Sequence, residues 1–163
     1  MRRRALAAGL ASALLAACAP LRRTAPPAPV PHWSGRLSLV VRSEPVQSFS
    51  AGFELQGSAD EGELRLNTPL GNSLAQARWN AREALLQAGQ TARRFASLGE
   101  LLQELTGAEL PVAALFDWLA GRPTPAAGWQ ADLDRHAQGR LAAQRLSAPA
   151  IDLRIVLDEP ARP

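Results

Sequence analysis

Residues 49–67 read FSAGFELQGSADEGELRLN, and this stretch decides the fold class. Apolar residues occupy every second position in its first half, and Leu64 and Leu66 continue the pattern in its second half. A polar, glycine-containing segment at 57–60 separates the two halves. Alternation with one polar face predicts two half-buried antiparallel strands joined by a tight connection.

The same alternation recurs along most of the chain. The clearest case is residues 150–158, where isoleucine and leucine alternate with mostly charged residues. The connections are short and several contain glycine, as a meander of antiparallel strands requires. The predicted strands are residues 35–42, 48–56, 62–67, 73–80, 83–88, 129–135, 140–147 and 150–158.

Two short helices interrupt the strands. Ser97 and Glu100 have the spacing of a capping box, and Gly107 marks the end of this first helix. Pro111 fits the start of a second helix, which Gly121 ends. The apolar stripes of the two helices are Leu98, Leu101, Leu102 and Leu105, and then Val112, Leu115, Phe116 and Leu119. Both helices must cover the apolar face of the sheet, which leaves two alternatives: a solid core, or a cavity between helices and sheet.

The N-terminus predicts export and lipidation. Three arginines precede an apolar run at 5–17, which is shorter than the ~20 residues of a membrane span. The run ends in Leu-Ala-Ala-Cys, which resembles a lipobox, so residues 1–17 are expected to be a lipoprotein signal peptide and Cys18 the lipidated residue. Cys18 is the only cysteine, which excludes an internal disulfide. Residues 18–32, rich in proline, form the predicted tether, and residues 33–159 the single domain.

Charge and composition exclude several function classes. Without the three signal-peptide arginines, 15 basic residues face 15 acidic ones, so the high isoelectric point does not predict nucleic-acid binding. The chain contains no lysine, which excludes a Walker-type phosphate loop, a Schiff base and a Ser–Lys hydrolase. His32 and His136 have no partner set for metal binding or catalysis, and no Gly-x-Ser-x-Gly motif is present. We therefore expect no enzyme activity, no metal and no cofactor.

A turn with an unusual tip lies between two of the predicted strands. Residues 68–71 read Thr-Pro-Leu-Gly, the signature of a type I turn. Its third position normally carries a polar side chain, but here it is Leu70. From these residues alone, Leu70 could either fold back into the core or project into solvent.

Taken together, these features resemble the LolB family of outer-membrane lipoprotein receptors. The resemblance rests on the lipobox cysteine, the proline-rich tether, WSGRL at 33–37, TPLG at 68–71 and above all LTGAELPVAALFDWLAGRP at 105–123. It implies a curved, incompletely closed antiparallel β-barrel with two short helices over an apolar cavity. In that family the cavity accepts lipoprotein acyl chains from a soluble periplasmic carrier, LolA, and delivers the lipoproteins to the inner leaflet of the outer membrane.

The resemblance also assigns roles to particular residues. Pro69, Leu70 and Gly71 match the family's protruding loop, whose exposed leucine matters for membrane insertion. The expected partners are a LolA-like carrier, lipoprotein acyl chains and outer-membrane lipid, with no nucleic acid and a monomeric receptor anchored at Cys18. The candidate cavity residues are Phe53, Leu55, Leu64, Leu66, Leu101, Leu105, Leu115, Phe116 and Leu119. The alternative is a structural or adaptor outer-membrane lipoprotein with a solid core and no lipid cargo.

Overall fold

The structure is a computed structural model that describes residues 29–159. The predicted signal peptide, Cys18 and most of the predicted tether lie outside the described residues. The described residues form nine strands, two α-helices and a short 3-10 helix at His136–Gln138. The strands are β1 His32–Arg42, β2 Gln47–Gly57, β3 Gly62–Asn67, β4 Ser73–Trp79, β5 Ala84–Ala88, β6 Thr91–Phe95, β7 Trp129–Asp132, β8 Arg140–Arg145 and β9 Ala150–Leu157.

All nine strands belong to one antiparallel sheet. Their spatial order is β6-β5-β4-β3-β2-β1-β9-β8-β7, so the first and last long strands pair in the centre, with Leu37 opposite Ile155. The strands β6 and β7 form the two edges, and the sheet does not close into a barrel. The prediction of an incompletely closed antiparallel sheet is confirmed.

The inner face of the sheet carries the alternating apolar residues. In β9, Ile151, Leu153, Ile155 and Leu157 are buried, whereas Arg154 and Val156 between them are exposed. In β2, Ala51, Phe53 and Leu55 are buried in the same way. Period two therefore places every inward residue of neighbouring strands on one concave surface.

Two helices lie across that concave surface. The helix α1 spans Leu98–Thr106 and α2 spans Val112–Leu119. The Ser97 hydroxyl accepts a hydrogen bond from the amide of Glu100, while the Glu100 carboxylate accepts one from the amide of Ala96 at 2.6 Å. Gly107 ends α1 in the left-handed conformation, with φ of 69°. Among residues 29–159, no helix has both the length and the apolar character needed to cross a membrane.

The structure differs from the sequence prediction at β1, β6 and β7. The strand β1 begins at His32, three residues before the predicted start, so the last residue of the predicted tether belongs to the sheet. The strand β6, which contains Arg93 and Arg94, was not predicted, because all of its residues except Phe95 are exposed and show no apolar alternation. Its backbone pairs with β5 after the short connection at 89–90. The strand β7 ends at Asp132, three residues before the predicted end, because the Asp132 carboxylate accepts the amide of Asp134 and turns the chain.

Candidate functional site

A cavity of about 640 Å³ lies between the concave face of the sheet and the two helices. Its volume is in the range of small-molecule binding pockets. All of its lining residues are apolar except Gln47, Ser48 and Thr106. The interior is therefore not the solid core that one of the two sequence-based alternatives required.

Each of the nine cavity residues named from the sequence lines this space. Four come from the sheet and five from the helices. The residues are Phe53 and Leu55 on β2, Leu64 and Leu66 on β3, Leu101 and Leu105 on α1, and Leu115, Phe116 and Leu119 on α2.

The structure adds wall residues that were not named from the sequence. Leu37, Leu39, Leu153 and Ile155 line the cavity where β1 pairs with β9, and Trp79 lines it from β4. The period-two alternation of these strands identified their apolar positions as inward-facing. Which of them face the cavity depends on where the helices lie, and that arrangement is not encoded in the period of any single strand.

Aromatic contacts hold α2 over the sheet. The ring of Phe116 meets Trp33 at 5.8 Å and Trp79 at 6.2 Å between centroids, both edge to face. On the same helix, Trp118 is buried and packs against Trp129. The indole nitrogen of Trp118 donates a hydrogen bond to the carbonyl of Thr124 at 2.8 Å. Edge-to-face pairs stabilise the packing beyond the area they bury, so these contacts fix the position of this helix.

The one buried polar residue in the cavity wall makes its hydrogen bonds to the backbone. The hydroxyl of Thr106 lies 2.8 Å from the carbonyl of Leu102 and 2.9 Å from the carbonyl of Ala108. A hydroxyl already paired with the main chain has little capacity left for a polar ligand. The cavity therefore favours a hydrocarbon ligand over one that needs directed hydrogen bonds.

The cavity opens at one end of the sheet. Phe49 at the start of β2, Leu74 at the start of β4 and Leu105 at the end of α1 all line it. These three side chains are also 40%, 38% and 48% exposed. Residues that line a cavity and contact solvent mark its mouth, and this mouth is apolar.

The turn with leucine at its tip projects beside this mouth. The amide of Gly71 donates to the carbonyl of Thr68 at 2.9 Å, as in the predicted type I turn, and the Thr68 hydroxyl accepts the amide of Asn72. Leu70 is 89% exposed, and Pro69 and Gly71 beside it are also exposed. The tip of a well-ordered turn therefore presents an apolar side chain to solvent.

Charged side chains lie on the outer surface, away from the cavity. On the outer face of β3, the Glu63 carboxylate accepts hydrogen bonds from Gln76 and Arg78 at 2.7 and 2.9 Å. Desolvation by itself raises the pKa of Glu63, but these hydrogen bonds and the charges of Arg65 and Arg78 outweigh it and lower the pKa below its ordinary value.

A second ordered carboxylate stabilises the end of α2. Asp117 accepts a hydrogen bond from the Thr124 hydroxyl at 2.7 Å and forms an ion pair with Arg122. The hydrogen bond from Thr124, followed by that from Arg122, lowers the pKa of Asp117. These contacts attach the segment after α2 to the helix, and they stay outside the cavity.

His136 and the two arginines of β6 have structural contacts. The His136 ring lies 2.9 Å from the carbonyl of Leu119 through Nε2. Arg93 and Arg94 on β6 form ion pairs with Glu104 and Glu83. Within residues 29–159, no group of three or more histidine, cysteine, aspartate or glutamate side chains could hold a metal ion.

Comparison with known proteins identifies the family. The model of the family described as "Outer membrane lipoprotein LolB" matches residues 31–155. An outer-membrane lipoprotein LolB of Ralstonia nicotianae is 36% identical over 146 residues, covering 83% of this chain and 69% of that protein. Proteins of the same name from Cupriavidus pinatubonensis and Thiobacillus denitrificans are each 34% identical, covering 68% and 77% of this chain and 54% and 69% of theirs. The chain thus spans between about half and just over two thirds of the length of these relatives, and it belongs to the outer membrane lipoprotein LolB family.

Proposed function

We propose that this protein receives lipoproteins from a soluble, LolA-like periplasmic carrier and inserts them into the inner leaflet of the outer membrane. The lipoprotein acyl chains enter the apolar cavity, and no covalent bond is made or broken. The single observation that carries this proposal is the cavity of about 640 Å³ with its nearly all-apolar wall. Membership of the LolB family supports the same role.

The energetics of the cargo explain why such a cavity is needed. Each buried methylene of an acyl chain contributes ~0.8 kcal/mol, so two or three chains carry on the order of tens of kcal/mol of unfavourable hydration. Free diffusion of this cargo through water is therefore negligible. The cargo must pass directly from one apolar enclosure to another, and transfer proceeds towards the site of higher affinity and finally towards the bilayer.

The exposed leucine has a different role from the cavity. Full burial of one leucine contributes only ~1.5–3 kcal/mol, which is too little to anchor a protein on a membrane. It is enough to orient the mouth against lipid or to perturb lipid packing while cargo leaves. Leu70, held by the turn at 68–72, is the residue we assign to this step.

Stable attachment to the membrane is assigned to the N-terminus. We assign the lipid anchor to Cys18, with residues 1–17 removed as signal peptide and the proline-rich segment before β1 linking anchor and domain. An anchor with more than one acyl chain gives stable binding, whereas one chain gives only marginal binding. The receptor then works from the periplasmic side of the outer membrane.

The decisive experiment is a transfer assay. Carrier loaded with a radiolabelled lipoprotein is mixed with the full chain, the two proteins are separated by affinity tag, and the label on each is counted. We expect the label to move to this protein and, after addition of phospholipid vesicles, into the vesicles. A fluorescent fatty acid should also bind saturably and be displaced by cargo. If the label stays on the carrier and the fatty acid does not bind, the protein is not a lipoprotein receptor and the adaptor alternative takes its place.

A further inference from the structure

Four connections lie at the end of the sheet where the cavity opens. Because the sheet is an antiparallel meander, the connections β1–β2, β3–β4, β5–β6 and β8–β9 all turn at this end. Three of them carry one highly exposed apolar side chain: Val46 is 65%, Leu70 is 89% and Leu146 is 67% exposed. The fourth connection is the Gly-Gln pair at 89–90.

The opposite end of the sheet has a different character. Its connections at 58–61, 80–83 and 133–139 carry charged residues, and none of their large apolar side chains is highly exposed. Val30, which leads into β1, is the exception near that end, with 67% exposure. Apart from the mouth residues Phe49, Leu74 and Leu105, the other exposed large apolar residues in the described part of the chain are Leu85 and Val156, which lie within strands. The exposed apolar tips are thus concentrated beside the mouth.

The three apolar tips follow one another along the curved rim of the sheet. In the order β4-β3-β2-β1-β9-β8, successive tips are two strands apart, with Val46 between Leu70 and Leu146. Because neighbouring strands are ~4.8 Å apart, neighbouring tips are separated by roughly 10 Å across the sheet, measured perpendicular to the strands. The apolar mouth residues Phe49, Leu74 and Leu105 lie at the same end. Tips and mouth together form a broad apolar surface rather than a single point.

Two arginines flank this surface, and the carboxylates of Asp152 and Glu44 lie at the same end of the sheet. Arg42 at the end of β1 is exposed and paired with Asp152 at 2.7 Å, and the guanidinium of Arg145 donates to the carbonyl of Pro149 at 2.8 Å. An arginine in such a pair retains free donors that can reach a phosphate oxygen. Glu44 is the acidic residue in the turn beside Val46. Apolar tips with arginines behind them suit the interface of a phospholipid monolayer.

We propose that Val46, Leu70 and Leu146 together form a three-point lipid-docking surface, which sets the mouth of the cavity flat against the membrane. The inference rests on the proposed function, and it extends the membrane contact from one turn to three. A single inserted leucine leaves the receptor free to rotate about that point. Three points spread along the rim of a curved sheet do not lie on one line, so together they remove most of that freedom and keep the whole mouth covered by lipid while cargo leaves.

The test is a depth measurement on the full chain in vesicles of phosphatidylethanolamine with a minority of phosphatidylglycerol. Single cysteines, Val46→Cys, Leu70→Cys or Leu146→Cys, carry an environment-sensitive fluorophore, and the lipids carry a nitroxide quencher on the acyl chain. Asp60→Cys and Ala81→Cys, in turns at the opposite end, are matched controls, and the chain without an added cysteine gives the blank. We expect quenching at all three tips and none at the controls. Quenching at position 70 alone, with positions 46 and 146 behaving as the controls do, overturns the proposal.

A functional readout separates this surface from the receptor function itself. Val46→Glu or Leu146→Glu should each slow insertion of cargo into vesicles about tenfold, the equivalent of ~1.4 kcal/mol, with uptake from the carrier unchanged. Normal insertion by both variants overturns the proposal. A failure of the unsubstituted chain to take up cargo contradicts the proposed function instead, and the quenching pattern still decides the docking surface. If either glutamate variant fails to fold, the quenching measurement still decides whether the three tips contact lipid.

Discussion

The edge of the Phe116 ring meets the ring of Trp33 with the two planes inclined by 69° and the centroids 5.8 Å apart. Trp33 belongs to β1 in the centre of the sheet, and Phe116 belongs to α2 above the cavity. One aromatic pair therefore links the helix above the cavity to the sheet. Because a hollow interior has few atoms to support a helix from below, such contacts carry much of the stability of the roof.

The first prediction concerns this roof. Phe116→Ala removes the contacts with Trp33 and Trp79 and should lower the free energy of unfolding by about 2–4 kcal/mol, since the ring is partly buried. Urea denaturation followed by tryptophan fluorescence measures the change. Phe49→Ala, at the exposed mouth, is the matched control and should cost about 1 kcal/mol or less. Equal losses in the two variants would show that Phe116 has no special role in holding α2.

The second prediction concerns the space inside. Ala75 lines the cavity from β4, so the ring introduced by Ala75→Phe enters room that the acyl chain would occupy. Displacing even two methylenes, at ~0.8 kcal/mol each, should weaken binding of a fluorescent fatty acid about tenfold. The probe titration measures this directly. Ala142→Phe places the same ring on the outer face of β8 and should leave the affinity unchanged. Identical affinities for both variants contradict an acyl-chain site in this cavity.

The third prediction concerns the exposed turn. Leu70→Glu should leave the fold and the uptake of cargo from the carrier intact, because the side chain contacts mainly solvent. Insertion into vesicles should fall by about tenfold or more, since burial of one leucine is worth ~1.5–3 kcal/mol and a charge resists insertion. Leu85→Glu, on the outer face of β5, is the control and should insert cargo normally. A normal rate for the Leu70→Glu variant refutes the role assigned to this turn.

The fourth prediction concerns pH. The pKa of Asp117 in the folded protein is below its ordinary value of 3.8. At this carboxylate the unfolded chain therefore binds a proton more readily than the folded protein does. The ionised carboxylate stabilises the fold at pH values above 3.8, and this stabilisation is lost as the pH falls through the lower pKa of the folded protein. The stability difference between the parent chain and Asp117→Asn should thus shrink between about pH 6 and about pH 3.

Chemical denaturation at a series of pH values measures that difference. The pKa of Glu63 is also lowered, but Glu63 is present in both chains. Its contribution to the pH dependence therefore cancels when the stability of the variant is subtracted from that of the parent chain. The same series in a Thr124→Val background tests the cause, because the hydrogen bond from Thr124 is the largest contribution to the shift. In that background the pH dependence should weaken. A difference that grows on acidification would reverse the sign and exclude this account of Asp117.

Local sequence patterns determined most of the secondary structure. The alternation in 150–158 and in 49–67 gave strands, because a pleated strand turns successive side chains to opposite faces whatever its neighbours are. The serine at 97 and the glycine at 107 gave the ends of α1 for an equally local reason, since they satisfy the free amides and carbonyls of the helix. The resemblance to the LolB family, confirmed by the comparisons, likewise rests on short motifs.

Non-local contacts decided what the sequence left open. The strand β6 exists because its backbone pairs with β5, although its residues have no apolar pattern. The cavity between helices and sheet depends on how far apart Phe116, Trp33 and Trp79 hold the two layers, which no residue period encodes. The sequence by itself determined the strands other than β6, the two helices and the turn at 68–72, because these depend on neighbours along the chain. Only the tertiary structure decided that the interior is hollow and that Val46, Leu70 and Leu146 share one end, because both depend on how distant segments pack.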